Sequence, residues 1–163
     1  AVLLKEIGVE RKEMIAIGSD HGGYDLKMKI IAHLQERGLE VKDFGCYDKS
    51  SCDYPDFGQA AARAVADGSC EKGIVVCTTG IGISIAANKV KGIRCALCTN
   101  SYLAKMTRLH NDANMLALGE GNTGVNLAVE IVDTFLDTPF SGEEKHARRI
   151  SKLEMAAEET SKD

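Results

Sequence analysis

The chain of 163 residues contains no tryptophan, and aromatic residues make up only 5% of it. Its core must therefore be built from aliphatic side chains and alanine, a composition that suits an α/β domain with strands buried on both faces. Prolines are nearly absent too, at positions 55 and 139 only, and no Pro- or Ser-rich stretch marks an internal linker, so one domain is expected. Excess positive charge is missing: the formal net charge is −4 and the pI near 5.6. That excludes a global field for nucleic acid or an anionic membrane surface, and an anionic ligand needs a local basic pocket. No apolar run approaches the roughly 20 residues of a membrane span. No secretory leader is evident, and an apolar chain of this size needs no covalent staples, so the six cysteines are expected to be reduced thiols in a cytoplasm. At 44% hydrophobic and 27% charged residues, the chain is also excluded from the disordered class.

What is present is an alternation. Strand-like runs recur at 14–19, 39–44, 73–78, 94–99 and 115–118. Segments with helical spacing lie between them at 24–37, 55–67, 83–89, 100–109 and 125–136, and a last one covers 141–157. Leu26, Ile30, Ile31 and Leu34 share one face of the first helix, with Gly38 as its stop. Pro55 suits a first helical turn, and Asn100 an N-cap. The pattern predicts a three-layer α/β/α, Rossmann-like fold with a five-stranded parallel sheet and a C-terminal helix, its ligands bound beyond the C-terminal ends of the strands. Residues 1–13 precede the strand-like start Met14-Ile15-Ala16-Ile17 and read as an extension or expression remnant, 14–155 as the domain, and 156–163 as a polar tail.

The stretch GIVVCTTGIGISIAANKV at 73–90 carries the chemistry. A buried-looking strand leads through Cys77 into the Thr/Gly turn 78–82 and then a helix. The turn's backbone N–H groups and the helix dipole would stabilise negative charge on a bound anion or on the thiol itself. Gly80-Ile81-Gly82 has the first two glycines of a dinucleotide fingerprint, but Ile85 occupies the third position, and no Gly-Lys-Ser/Thr of a P-loop is present. Cys95-Ala-Leu-Cys98 has dithiol spacing, yet in a strand residues i and i+3 point to opposite faces. The histidines and acidic residues show no metal-ligand spacing. Nucleotide binding is disfavoured, and metal-free chemistry is expected.

Asp20 and His21 end the first strand before Gly22-Gly23, which would permit close approach of a small polar ligand; a plain Asp cap with an incidental His is the competing reading. His110-Asn111 closes the fourth helix. His33 lies mid-helix without a polar cluster and reads as structural. In the terminal helix Lys145, His146 and Arg149 can form a cationic patch, or simply a solvated face docked through Ile150 and Leu153.

Taken in order, IGSDHGG (17–23), DYPDF (53–57), VVCTTGIGISIAANK (75–89), HNDAN (110–114) and KHARR (145–149) strongly resemble type B ribose-5-phosphate isomerase. That family also includes allose-6-phosphate and galactose-6-phosphate isomerases. The resemblance spans nearly the whole chain from Met14 to about Leu153. It implies a cofactor-free enzyme, usually dimeric, that interconverts a phosphorylated aldose and its ketose, most simply ribose 5-phosphate and ribulose 5-phosphate.

Such a reaction removes a proton next to a carbonyl, so it needs a base and a cradle for the enediolate oxygen. In the resemblance Cys77 is the base. The turn from Thr78 through Gly80, Ile81 and Gly82 is the cradle, with a hydroxyl from Thr79 or Ser84. His110 protonates the ring oxygen to open the sugar, Asp20 handles the anomeric hydroxyl, and His21, Tyr54 and Asn111 orient the substrate. His146, Arg149 and Lys145 hold the phosphate. Cys77 belongs to the C-terminal end of a strand, whereas His110 ends a returning helix, and a five-residue strand spans roughly 17 Å. A two-fold dimer, alone or within a tetramer, is therefore expected to bring His110 and Asn111 of one chain to Cys77 of the other.

Three positions depart from the family's commoner pattern: Thr78 stands for a Gly, Gly121 for a phosphate-binding Arg, and Lys145 for an Arg. These leave open a six-carbon sugar phosphate as substrate. A non-catalytic sugar-phosphate binding protein and a flavodoxin-like domain are the readings from other classes.

Overall fold

The computed structural model describes residues 13–161. Most of the expected extension at 1–13 lies outside them. Strands β1 (Met14–Ser19), β2 (Glu40–Asp43), β3 (Lys72–Cys77), β4 (Cys95–Leu97) and β5 (Met115–Gly119) form one sheet in the order β2-β1-β3-β5-β4. Every neighbouring pair is parallel. Helices α1 (Tyr24–Glu36), α2 (Tyr54–Ala66), α3 (Ile81–Asn88), α4 (Ser101–Met106) and α5 (Val125–Asp137) alternate with the strands, and α6 (Glu144–Ser161) follows. This is the three-layer fold that the alternation predicts.

Successive strand residues face opposite ways, so each strand feeds two cores. Ile15, Ile17, Ile74, Val76, Leu116 and Leu118 meet α1 and α5 on one side. Ala16, Val75, Cys77, Met115 and Ala117 meet α2 and α3 on the other. Cys98 belongs to the first core, while Cys95 packs against the second. The two thiols of the C-x-x-C thus lie on opposite faces of the sheet, and all six cysteines are free.

Local chemistry sets the helix ends. Gly38, at φ +78°, accepts the left-handed backbone that stops α1. Pro55 sits in the first turn of α2, and the Asn100 side chain accepts a 2.9 Å hydrogen bond from Leu103 N–H at the head of α4. Lys27 on α1 is fully buried, its ammonium 2.8 and 3.0 Å from the Asp43 carboxylate, and it also donates to the Cys46 carbonyl. A buried ammonium stripped of its carboxylate costs on the order of 3–5 kcal/mol. That pairing fixes the segment between β2 and α2 against α1.

Three expectations change. His33 is not without polar partners: its Nε2 lies 2.8 Å from Asp133 Oδ1, which Arg37 also engages at 2.7 Å, so an ionic cluster joins α1 to α5. The fourth helix ends as an α-helix at Met106 and widens into a π turn, Thr107–Asn111, closed by Asp112 in the left-handed region at φ +44°. The terminal helix runs to Ser161, and it docks through His146, Ile150 and Glu154; Leu153 is 56% exposed. An i, i+4, i+8 stripe faces the body, and Leu153 lies off it.

Burial pushes the Cys98 thiol up to about 11 and that of Cys95 higher still. Both are neutral at pH 8, and only the thiolate is nucleophilic. Iodoacetamide at pH 8 is expected to leave both unmodified in the folded protein, as read by peptide mass mapping.

Candidate active site

The chain reverses its direction of travel across the sheet between β1 and β3, and at such a switch point the loops beyond the two strands part to leave a crevice. The register pairs Ser19 with Val76, which sets Asp20 and Cys77, the next residues, side by side at the crevice. Cys77 is buried, and the backbone N–H of Gly80 donates to its Sγ at 3.1 Å. Gly80 takes φ +77° to make this contact and to start α3, so the sulfur lies at the positive end of that helix. Thr79 Oγ1 accepts from Ile81 N–H at 3.2 Å. Gly82 and Ile83 follow in the first turn, where N–H groups have no intrahelical acceptor. Ser84 is differently engaged: its hydroxyl donates to the Ile81 carbonyl at 2.7 Å, so its proton is committed within α3.

Asp20 is buried and does cap, accepting from Gly23 N–H at 3.1 Å. His21 is exposed beside it. Its Nδ1 accepts a 3.3 Å hydrogen bond from Cys52 N–H, which puts the proton of the neutral ring on Nε2. Tyr54 lies over the turn, for a Cβ on Gly82 would come within 2.8 Å of its ring.

The glycine pair lies tight against β3 and its turn. A Cβ at Gly23 would sit 2.5 Å from the Val76 carbonyl oxygen, and one at Gly22 would sit 2.2 Å from Thr78 Oγ1. The close approach they permit is to β3 and its turn. Thr78 is flanked on its far side by Gly121, whose N–H donates to the Thr78 carbonyl at 2.8 Å and whose added Cβ would meet that oxygen at 2.9 Å and Thr78 Cγ2 at 3.2 Å. Thr78 packs between two glycines.

The other group of residues lies elsewhere. His110 and Asn111 end the π turn that leads into Met115, the first residue of β5, whereas Cys77 pairs with Gly119, the last. The strand between them spans roughly 13 Å. Within this second cluster the rings of His110 and His146 stack, with centroids 4.3 Å apart and planes 20° apart. Asn111 Oδ1 accepts from Thr107 Oγ1 at 3.1 Å. Glu143, which the sequence reading passed over, lies 3.1 Å from His146 Nε2 and 3.9 Å from Lys145 Nζ, so a carboxylate offsets part of the expected cationic patch. Arg149 is exposed on the same helix. A cavity of about 520 Å³ adjoins this cluster, lined in part by Arg94, Cys95, Thr107, Asn111, Leu153 and Glu154. Among the described residues no group of three or more His, Cys, Asp or Glu is placed to hold a metal ion, and no helix is long and apolar enough to cross a membrane.

These two clusters carry the motifs by which the chain can be placed among known proteins. The profile of the Ribose/Galactose Isomerase family matches residues 15–153, and the chain belongs to that family. It is 46% identical over 139 residues to ribose-5-phosphate isomerase B of Escherichia coli, covering 85% of this chain and 93% of that protein. Galactose-6-phosphate isomerase subunit LacB of Clostridium acetobutylicum is 40% identical over 141 residues, covering 86% of this chain and 82% of that one. The structure superimposes on ribose-5-phosphate isomerase B of Clostridium thermocellum with a TM-score of 0.89 at 56% identity, covering 90% of this chain and 99% of the other.

Burial and the neighbouring His110, Lys145 and Arg149 hold the His146 imidazole below its usual range, against the opposing pull of Glu143. Below pH about 6.5 the unfolded chain therefore binds this proton more readily than the folded one. Stability contributed by neutral His146 is complete above that pH and falls as the pH drops towards the lowered folded value. Urea unfolding between pH 7 and 5 should show a shallower decline for His146→Gln than for the wild type.

Proposed function

We propose that the chain is an aldose-ketose isomerase that interconverts ribose 5-phosphate and ribulose 5-phosphate. The observation that carries the reading is the Cys77 thiol at the head of α3, touched by an inward N–H at 3.1 Å and set beside Asp20, in a chain of this family. The thiol is the only ionisable side chain of the turn 77–82, the only place there for a base.

The proposed sequence of events begins with the closed sugar. His110 gives a proton to the ring oxygen while Asp20 accepts the one on the anomeric hydroxyl, and the chain opens to an aldehyde. Cys77, as thiolate, takes the proton from the carbon next to the carbonyl and returns it to the former carbonyl carbon, while the hydroxyl proton on the second oxygen passes to the first, so that the aldehyde becomes a hydroxymethyl group and the neighbouring carbon a ketone. In between, the enediolate oxygen rests on N–H groups of the turn, with Thr79 adding a hydroxyl; such preorganised donors are commonly worth 10²–10³ in rate. His21, Tyr54 and Asn111 hold the sugar hydroxyls, and Lys145, His146 and Arg149 hold the phosphate.

A single chain holds its Cys77 cluster and its His110 cluster at opposite ends of β5. The reading therefore includes a homodimer in which each site takes its base from one protomer and its ring-opening acid from the other. Ile81 and Ile85, 53% and 55% exposed one turn apart on α3 beside the thiol, give this region an apolar surface for a second copy. Six free thiols suit a reducing, cytoplasmic setting.

A coupled assay on ribose 5-phosphate, allose 6-phosphate and galactose 6-phosphate tests the activity. Wild type is expected to turn over the first fastest, and Cys77→Ser to lose about 10²–10⁴ in kcat, the range of a general base. Equal rates for variant and wild type would end the assignment of the base. Mixing inactive Cys77→Ala and His110→Ala proteins after co-refolding is expected to restore up to about one quarter of the wild-type activity, because half of the dimers are mixed and each carries one intact site. No recovery would end the shared site.

A further inference from the structure

Arg94 precedes β4 at the end of the sheet remote from Cys77, and none of the roles above uses it. Its side chain makes three directed bonds. Nε donates to the Asn111 carbonyl at 2.9 Å and Nη2 to the Asp112 carbonyl at 2.9 Å. Nη1 donates to Glu154 Oε1 of α6 at 2.8 Å. The Arg94 backbone is itself held, its N–H donating to Asn114 Oδ1 at 2.8 Å and its carbonyl accepting from Asn114 N–H at 3.1 Å. The carbonyls at the end of a helical turn have no intrahelical donors, and a rigid guanidinium fork can serve two of them while pointing a third nitrogen elsewhere. An ammonium cannot keep that geometry.

The third nitrogen joins two groups of residues. Glu154 stands two turns beyond His146 on the stripe by which α6 docks, so its ion pair bears on both the rotation and the height of that helix. At the other end of the same stripe His146 stacks on His110. The π turn holding His110 and Asn111, and the helix holding Lys145, His146 and Arg149, are thereby referred to one guanidinium.

We propose that Arg94 is a positioning residue that sets the separation between the ring-opening acid His110 and the phosphate-holding face of α6, and with it the length of sugar phosphate that the site accepts. The proposal rests on the functional reading above. Glu154 is the side of the link that can be cut without touching the π turn.

Two variants separate positioning from bracing. Glu154→Gln keeps both carbonyl bonds of Arg94 and removes only the charge on α6. A partly exposed pair of this kind contributes at most about a factor of five, so the KM for ribose 5-phosphate and the Ki of inorganic phosphate are each expected to rise about three- to fivefold, with kcat within about twofold of wild type. Arg94→Lys disturbs the turn itself and is expected to lower kcat by about 10- to 100-fold, the scale of a misplacement of about 1 Å. Arg94→Lys also cuts the link to Glu154, so adding Glu154→Gln to it should raise KM no further than Arg94→Lys alone, because both act through one link. The preference for ribose 5-phosphate over allose 6-phosphate should narrow in Glu154→Gln. A brace alone would lower the melting temperature and leave KM, Ki and the preference unmoved, and that result overturns the proposal. If the wild type turns over no sugar phosphate, the functional reading fails. Calorimetry with inorganic phosphate then decides the link separately: equal affinity in wild type and Glu154→Gln overturns it, and a three- to fivefold loss supports it.

Discussion

The parallel pairing of β1 with β3 is the constraint on which the Cys77 cluster depends. Seen along the sheet, the chain leaves β1 in one direction to make β2 and returns past it to make β3, so the two strands that flank the reversal deliver their C-terminal residues to the same crevice. Asp20 and Cys77 are neighbours for this reason alone; 56 residues of chain separate them. The glycines that follow β1 belong to the same constraint. They let the 3₁₀ turn His21–Gly23 lie against the Val76 carbonyl and the Thr78 hydroxyl, and a side chain at either would force the strand ends apart. Aliphatic packing on both faces holds the pairing, as the shortage of aromatics requires.

A second cluster is organised by other means. Where hydrogen bonds of a sheet edge place Asp20 and Cys77, guanidinium forks place His110 and Asn111: Arg108 donates to the Thr138 and Ala113 carbonyls and the Asp112 carboxylate, and Arg94 to the carbonyls of Asn111 and Asp112. A widened turn leaves carbonyls to be satisfied, and arginine satisfies several at once. The cationic helix beside it is not uniformly basic, since Glu143 pairs with His146. The placement of that carboxylate bears on how an anion would compete for the same imidazole.

Local patterns were the legible part of this chain. The β/α alternation, the Gly38 stop, the Asn100 cap and the position of Cys77 between strand and helix all follow from spacings of a few residues, and each stands in the structure as expected. What the spacings could not supply were partners far apart in sequence. His33 reads as an isolated mid-helix residue until Asp133 is brought to it, and the His21 ring is oriented by Cys52, 31 positions on. Leu153 looked like a core residue by type, but the docking stripe of α6 runs through Glu154, whose arginine lies 60 positions away. Gly22 and Gly23 read as room for a ligand, and their contacts with Val76 and Thr78 are not visible in any local spacing. The π turn Thr107–Asn111 is not visible in the spacing of the apolar residues.

Thr78 and Gly121 touch at the crevice wall. Thr78 is exposed and adjoins both Gly22 and Gly121, and the loop after β5 is laced to this segment, with Glu120 N–H donating to the Cys77 carbonyl and Gly121 N–H to that of Thr78. A change at either position therefore bears on the other, and a library built to alter this crevice has to randomise both together.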